Sequence, residues 1–105
     1  MNESVIEKIV NDVLYLEYDD ESVREGGRQF VREVHAAKDM IEDTLRALVK
    51  KGPLEDGCVP SKRERDELLS MGLAAKVIVN GQQGYQAATY KGYDALKIID
   101  ALRAL

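Results

Sequence analysis

Apolar residues recur along this chain first at helical spacing, then in strict alternation, then at helical spacing again. Between Ser4 and Leu16 the side chains of Val5, Ile6, Ile9, Val10, Val13, Leu14 and Leu16 form a wide stripe with the three-and-four spacing of one helix face. Ser4 followed three residues later by Glu7 has the pattern of a capping box. A polar stretch, Glu17 and Asp19 to Ser22, then separates this element from the next, and Gly26-Gly27 reads as the strongest break in the N-terminal half. From Arg28 to Lys51 the helical pattern resumes through Phe30, Val34, Ala37, Ile41, Leu45 and Leu48. At ~1.5 Å per residue this helix spans about 36 Å, long for so small a chain. It stops at Lys50-Lys51-Gly52-Pro53: cations at the carbonyl end, then a residue suited to the left-handed cap, then a residue that cannot continue the helix.

Leu54 to Pro60 reads as a loop. Ser61 opens a short helix, with Glu64 completing a second capping-box pattern, and Gly72 closes it. Leu73, Ala75, Val77 and Val79 then alternate, which predicts a strand over 73–79 with those four on one face. Asn80-Gly81 suits a tight hairpin turn, because both residues tolerate positive φ. The strand returns from Tyr85 to Tyr90 behind a polar tip, Asn80 to Gly84. Gly92 breaks it, and Tyr93 to Leu105 is a final helix with Leu96, Ile99 and Leu102 facing the core. The expected fold is mostly α with one β-hairpin, an α+β chain forming a single domain over 1–105. Residues 1–51 make up its helical part and 52–105 its hairpin-bearing part.

The order of helix, short helix, strand, glycine-tipped hairpin and helix over about residues 40–105 resembles the winged helix. The resemblance is carried by Asp66-Glu67-Leu68-Leu69-Ser70-Met71-Gly72-Leu73, by Val77-Ile78-Val79-Asn80-Gly81, and by Gly84-Tyr85-Gln86-Ala87-Ala88-Thr89-Tyr90-Lys91-Gly92-Tyr93. In winged-helix regulators a phrase of the form L-x-x-x-G-L ends the recognition helix, and T-x-x-G leads from the wing into the next helix. A further helix usually stands before the recognition helix, where Gly52 to Pro60 supplies only a loop. Ala88-Thr89-Tyr90-Lys91-Gly92 is also similar to small uncharacterised proteins of phage and prophage genomes.

The resemblance implies a regulator of transcription that contacts double-stranded DNA. Ser61, Lys62, Arg63 and Arg65 lie in the first turn of the short helix, the part of a recognition helix that meets base edges. Gln82 and Gln83 are placed to reach a groove from the wing, and Lys76 and Lys91 to meet phosphates. Against this, Asp66 and Glu67 share the open helix face with Lys62 and Arg63, and a phosphate-facing surface disfavours anions. The same face also reads as a solvated mixture of charges, or as a site for a protein partner such as the target of a phage-type inhibitor.

Composition narrows the classes further. With 45% apolar and 32% charged residues the chain supports a packed core. Its net charge of -4 argues against non-specific coating of nucleic acid. The acid is concentrated in residues 1–51, which carry 8 Lys and Arg against 12 Asp and Glu, whereas 52–105 carry 7 of each. The longest apolar runs are far short of the ~20 residues that cross a bilayer, and Met1 to Val10 lacks a signal-peptide pattern, so a cytoplasmic protein is expected.

Candidate chemistry is sparse. The one Cys, Cys58, cannot form an intrachain disulfide, and with the single His35 it cannot build a Cys/His zinc site. His35 has no nucleophile at a suggestive spacing, and the acidic run from Glu17 to Glu21 reads as a charged turn. The expectation is a non-enzyme without cofactor or metal. The stripe Phe30, Val34, Ile41, Leu45 and Leu48, together with the apolar first helix, offers more apolar surface than a small core covers. A homodimer joined through it is therefore expected.

Overall fold

The computed structural model describes all 105 residues. It is an α+β chain of four α-helices and one three-stranded antiparallel sheet. The chain forms two compact units, Met1–Lys38 with Lys97–Leu105, and Asp39–Leu96. The boundary thus falls inside two helices rather than after Lys51.

The first unit holds α1 (Glu3–Asp12), the opening of α2 (Glu21–Lys51) and the end of α4 (Tyr90–Arg103). Ile6, Ile9, Val10, Val31, Val34, Ile98 and Ile99 are its buried apolar residues. Asn2 caps α1 by accepting from the Ser4 N–H at 2.7 Å, so the capping box expected at Ser4 and Glu7 does not form. The Glu7 carboxylate instead accepts from Arg24 at 2.5 Å and from Arg28. The expected extension of α1 to Leu16 also fails, because Tyr15 adopts φ +56° and turns the chain.

Helix α2 begins seven residues earlier than the apolar pattern suggested. Asp20 caps it, accepting from Val23 N–H at 3.1 Å and from the Ser22 hydroxyl at 2.7 Å. Gly26-Gly27 does not interrupt it. Each glycine costs about 1 kcal/mol against alanine in a helix, but Gly27 is buried where a β-carbon would come 2.7 Å from Leu16 Cδ1. The Leu16 side chain thus packs directly on the backbone of α2 at Gly27.

The second unit holds the rest of α2, then β1 (Leu54–Glu55), a 3₁₀ turn (Asp56–Cys58), α3 (Lys62–Ser70), β2 (Ala74–Val79), β3 (Gln82–Ala88) and the start of α4. The stretch expected to be a loop therefore contains a short strand and a helical turn. The sheet order is β1-β3-β2, with Leu54 opposite Gln86 and Ala74 opposite Ala88. Ile41, Leu45, Leu48, Leu68, Leu73, Ala74, Ala95 and Leu96 are buried, with Thr44 and Gln86 the buried polar residues.

Three glycine-containing motifs set the connections. Gly52, at φ +80°, ends α2 by donating its N–H to the Leu48 carbonyl at 3.1 Å. Gly72, at φ +73°, ends α3: Leu73 N–H reaches Leu68 O at 2.9 Å and Gly72 N–H reaches Leu69 O at 3.2 Å, the two bonds of a Schellman motif. That motif is the physical content of Leu68-x-x-x-Gly72-Leu73. Asn80 and Gly81 both have positive φ, 50° and 76°, as a two-residue type I′ hairpin turn requires.

The hairpin differs in detail from its expectation. It pairs Val79 with Gln82, so Gln82 and Gln83 belong to β3 rather than to a loop. An extra β3 residue lies between Val77 and Val79 of the partner strand, next to Gly84 at φ +91°. The alternating set Ala75, Val77 and Val79 stays exposed or half-exposed. The buried strand positions are Ala74 and Gln86, which share the opposite face.

The apolar stripe of α2 is not available to a second copy. Val34, Ile41, Leu45 and Leu48 are covered within one chain, and Phe30 is half-buried. Within one chain these four residues are core.

Candidate nucleic-acid interface

Ser61 leaves the 3₁₀ turn in an extended conformation and caps α3, its hydroxyl accepting from Glu64 N–H at 3.2 Å. The Glu64 carboxylate does not return to the Ser61 N–H, as a full capping box would have it. It reaches α2 instead and accepts from the Thr44 N–H at 2.9 Å, while the Thr44 hydroxyl donates to Ser61 O at 3.4 Å. Thr44 is fully buried. The first turn of α3 is thereby fastened to α2 through a polar link on one side, which leaves its other side to solvent.

Lys62 and Arg63 occupy that outer side. Both are exposed, and neither makes an ion pair. Arg65, two residues on, is placed differently. Its guanidinium donates to Asp66 Oδ1 at 2.9 and 3.0 Å and to Asp56 Oδ1 at 3.0 Å, and its side chain is only 17% exposed. The hydrogen bond to Asp66, aided by the charge of Asp56, raises the Arg65 pKa. Arg65 is engaged in holding α3 to the 3₁₀ turn.

Asp56 joins three elements. Besides Arg65 it accepts from Gln86 Nε2 at 2.6 Å, which ties β3 to the same turn. Gln86 is buried, and its Oε1 has no hydrogen-bond partner. Beside it, Tyr85 Oη donates to Glu55 Oε1 at 2.7 Å, a bond that raises the tyrosine pKa. An open cleft of about 270 Å³ lies here, lined by Asp56, Lys76, Ile78, Gln83 and Gly84 among others. Lys76, Gln82 and Gln83 are exposed on the hairpin. Lys91, in the first turn of α4, is exposed and donates to the Met71 carbonyl at 3.4 Å, so it braces the end of α3.

These contacts change the charge balance anticipated around α3. Of its carboxylates, Glu64 is taken up by the Thr44 N–H, and Asp66 is paired with Arg65. Asp56 and Glu55 are likewise engaged with Arg65 and Tyr85. Lys62 and Arg63 are left as unpaired cations, with Glu67 the half-buried anion of the same helix. Asp56 and Gln86 are not among the residues the sequence assigns to this interface. An aspartate in a proline-bounded loop and a glutamine in a strand give no signal that they will meet.

His35 is half-buried and Cys58 exposed. No group of His, Cys, Asp and Glu side chains is arranged to hold a metal ion, and no helix is long and apolar enough to cross a membrane. No protein-family model, curated protein or solved structure matches the chain.

Proposed function

We propose that this chain is a small winged-helix-type DNA-binding regulatory protein, with α3 as the recognition helix and the β2–β3 hairpin as the wing. The observation that carries this reading is the exposure of unpaired Lys62 and Arg63 on the first turn of α3, where the neighbouring carboxylates Glu64 and Asp66 are engaged internally. Support comes from the order of elements: a strand before the helix and a hairpin after it, in a sheet ordered β1-β3-β2. The 3₁₀ turn Asp56–Cys58 stands where the winged helix has its additional helix. Lys62 and Arg63 supply the phosphate and base contacts in this reading, with Gln82, Gln83 and Lys76 adding contacts from the wing. Arg65 and Lys91 hold α3 in place.

The test is titration of the purified chain against random-sequence and upstream duplex DNA at low salt. Binding that weakens steeply with salt, and weakens when Lys62 and Arg63 are replaced by alanine, is expected. No binding to either duplex overturns the reading.

A second reading, binding to a protein partner, is favoured by a different observation. In the first unit Tyr15 and Tyr18 are exposed, Tyr18 by 94%, on a turn that also carries Glu17, Asp19 and Asp20. Exposed tyrosines are common anchors of protein interfaces. Loss of capture of a protein partner by Tyr18→Ala, with DNA titration silent, would favour it.

A further inference from the structure

Asn80 and Gly81 form the whole connection between β2 and β3, with Val79 paired to Gln82 at its base. Both residues are exposed, as are Gln82, Gln83 and Gly84 beyond them. The ladder bonds of such a hairpin run between the flanking pair, so the turn's own N–H groups are left to water. No hydrogen bond engages the Gly81 N–H or the Asn80 side-chain amide. Gly81 has no side chain to obstruct its nitrogen, and even a β-carbon there would meet nothing within 4 Å. The Asn80 side-chain carbonyl and the next backbone nitrogen thus stand together without cover and without competing partners.

The other two asparagines of the chain, Asn2 and Asn11, are held. Asn2 Oδ1 accepts from Ser4 N–H at 2.7 Å, and the residue that follows it, Glu3, carries a bulky side chain. Asn11 Oδ1 accepts from Arg24 at 2.8 Å. Asp12 follows Asn11 within α1, so its N–H is engaged in the helix.

We propose that Asn80 is a site of self-modification, at which the Gly81 nitrogen and water convert the side-chain amide to aspartate and isoaspartate. The Gly81 N–H yields its proton to solvent base, and the nitrogen bonds to Asn80 Cγ. The Cγ–Nδ2 bond breaks, and Nδ2 takes up a proton and leaves as ammonia. Water then opens the resulting succinimide. Breaking the new N–Cγ bond gives aspartate. Breaking the bond from that nitrogen to the Asn80 carbonyl carbon gives isoaspartate, whose backbone runs through Cβ and Cγ. Water is consumed and ammonia released in equal amounts, and nothing is oxidised or reduced. Gln82 and Gln83, equally exposed, have a longer side chain and would need a larger ring.

Either product adds a carboxylate to the hairpin tip, making the net charge of -4 one unit more negative. Aspartate still suits the turn, because Asp-Gly is also favoured there. Isoaspartate puts an extra methylene into the backbone of a two-residue connection, which spoils its match to the twist of the flanking strands. The inference does not rest on the DNA-binding reading.

The test is to incubate the native chain at mildly alkaline pH and map its peptides by mass spectrometry against an unincubated control. The peptide carrying Asn80 should gain the mass of an exchange of NH2 for OH, and should take up label from heavy-oxygen water. Fragment ions should place the gain on Asn80, and an isoaspartyl methyltransferase should methylate part of the product. Peptides carrying Asn2 and Asn11 should stay unchanged meanwhile. Asn80→Gly leaves Gly-Gly, which also suits the turn, and should abolish the conversion. Circular dichroism checks that this variant is folded. No conversion in the native chain overturns the proposal, and conversion in urea alone would show that the turn shields the site. Conversion of Asn2 or Asn11 as fast as Asn80, or a gain that persists in Asn80→Gly, overturns the assignment.

Discussion

Gly92 lies so close to Leu73 that a β-carbon on it would stand 2.1 Å from the Leu73 carbonyl oxygen. The same carbonyl accepts from Thr89 N–H, and the Thr89 hydroxyl donates to Gly72 O at 2.7 Å while accepting from Gly92 N–H at 3.1 Å. Thr89 thus caps α4 and binds it to the end of α3, and Gly92 permits the approach. This is what Thr89-x-x-Gly92 does. Gly92→Ala must displace backbone and should cost about 1–3 kcal/mol or more, seen as a lower urea midpoint.

Gly26 makes the opposite forecast. It lies within α2, is exposed, and a β-carbon there meets nothing within 4 Å. Gly26→Ala should stabilise the chain by about 0.5–1 kcal/mol, by helix propensity and by a less flexible unfolded state. A melting temperature unchanged or lowered would contradict this.

Thr89→Val keeps the shape of the side chain but removes both hydroxyl bonds. A lost helix cap costs typically ~1 kcal/mol. Chemical denaturation should show a loss of that size, smaller than that of Gly92→Ala.

Acid should weaken the first unit through Glu7. Its pKa is lowered chiefly by the hydrogen bond from Arg28, and further by Arg24. A carboxyl whose folded pKa is depressed contributes stability above its unfolded value and loses it as pH falls through the folded value. Stability should therefore decline below the ordinary glutamate range near ~4.3, and Glu7→Gln should flatten that decline while lowering stability at neutral pH. A parallel pH dependence in the two proteins would refute the assignment.

Arg63 and Arg65 should separate binding from folding. Arg63→Ala removes an exposed, unpaired cation and should leave stability nearly unchanged. If it reads a base, it should weaken DNA binding by about 1–3 kcal/mol. Arg65→Ala should lower stability, because Asp56 and Asp66 lose their shared cation. Equal effects of both variants on melting temperature would contradict the placement.

Local chemistry made much of the second unit legible from sequence. Gly52-Pro53, Ser61, Gly72 and Asn80-Gly81 each satisfy a backbone demand within a few residues of themselves, and each stands at the junction the sequence indicated. The existence of the hairpin and of the helices around it follows from such signals and from the period of the apolar residues. What the tertiary structure alone decided depends on neighbours distant in sequence. Gly26-Gly27 reads as a break, yet α2 runs through both, with Gly27 buried against Leu16. The α2 stripe reads as surplus apolar surface, yet it is buried core. Arg65 is indistinguishable from Arg63 by spacing, but Asp56, nine residues before it, holds one and leaves the other to solvent. The alternating valines of β2 name a strand but not its buried face, because Gln86, bonded to Asp56, occupies that side. Short-range preferences set where elements begin and end; packing between distant residues sets which side chains remain free to act.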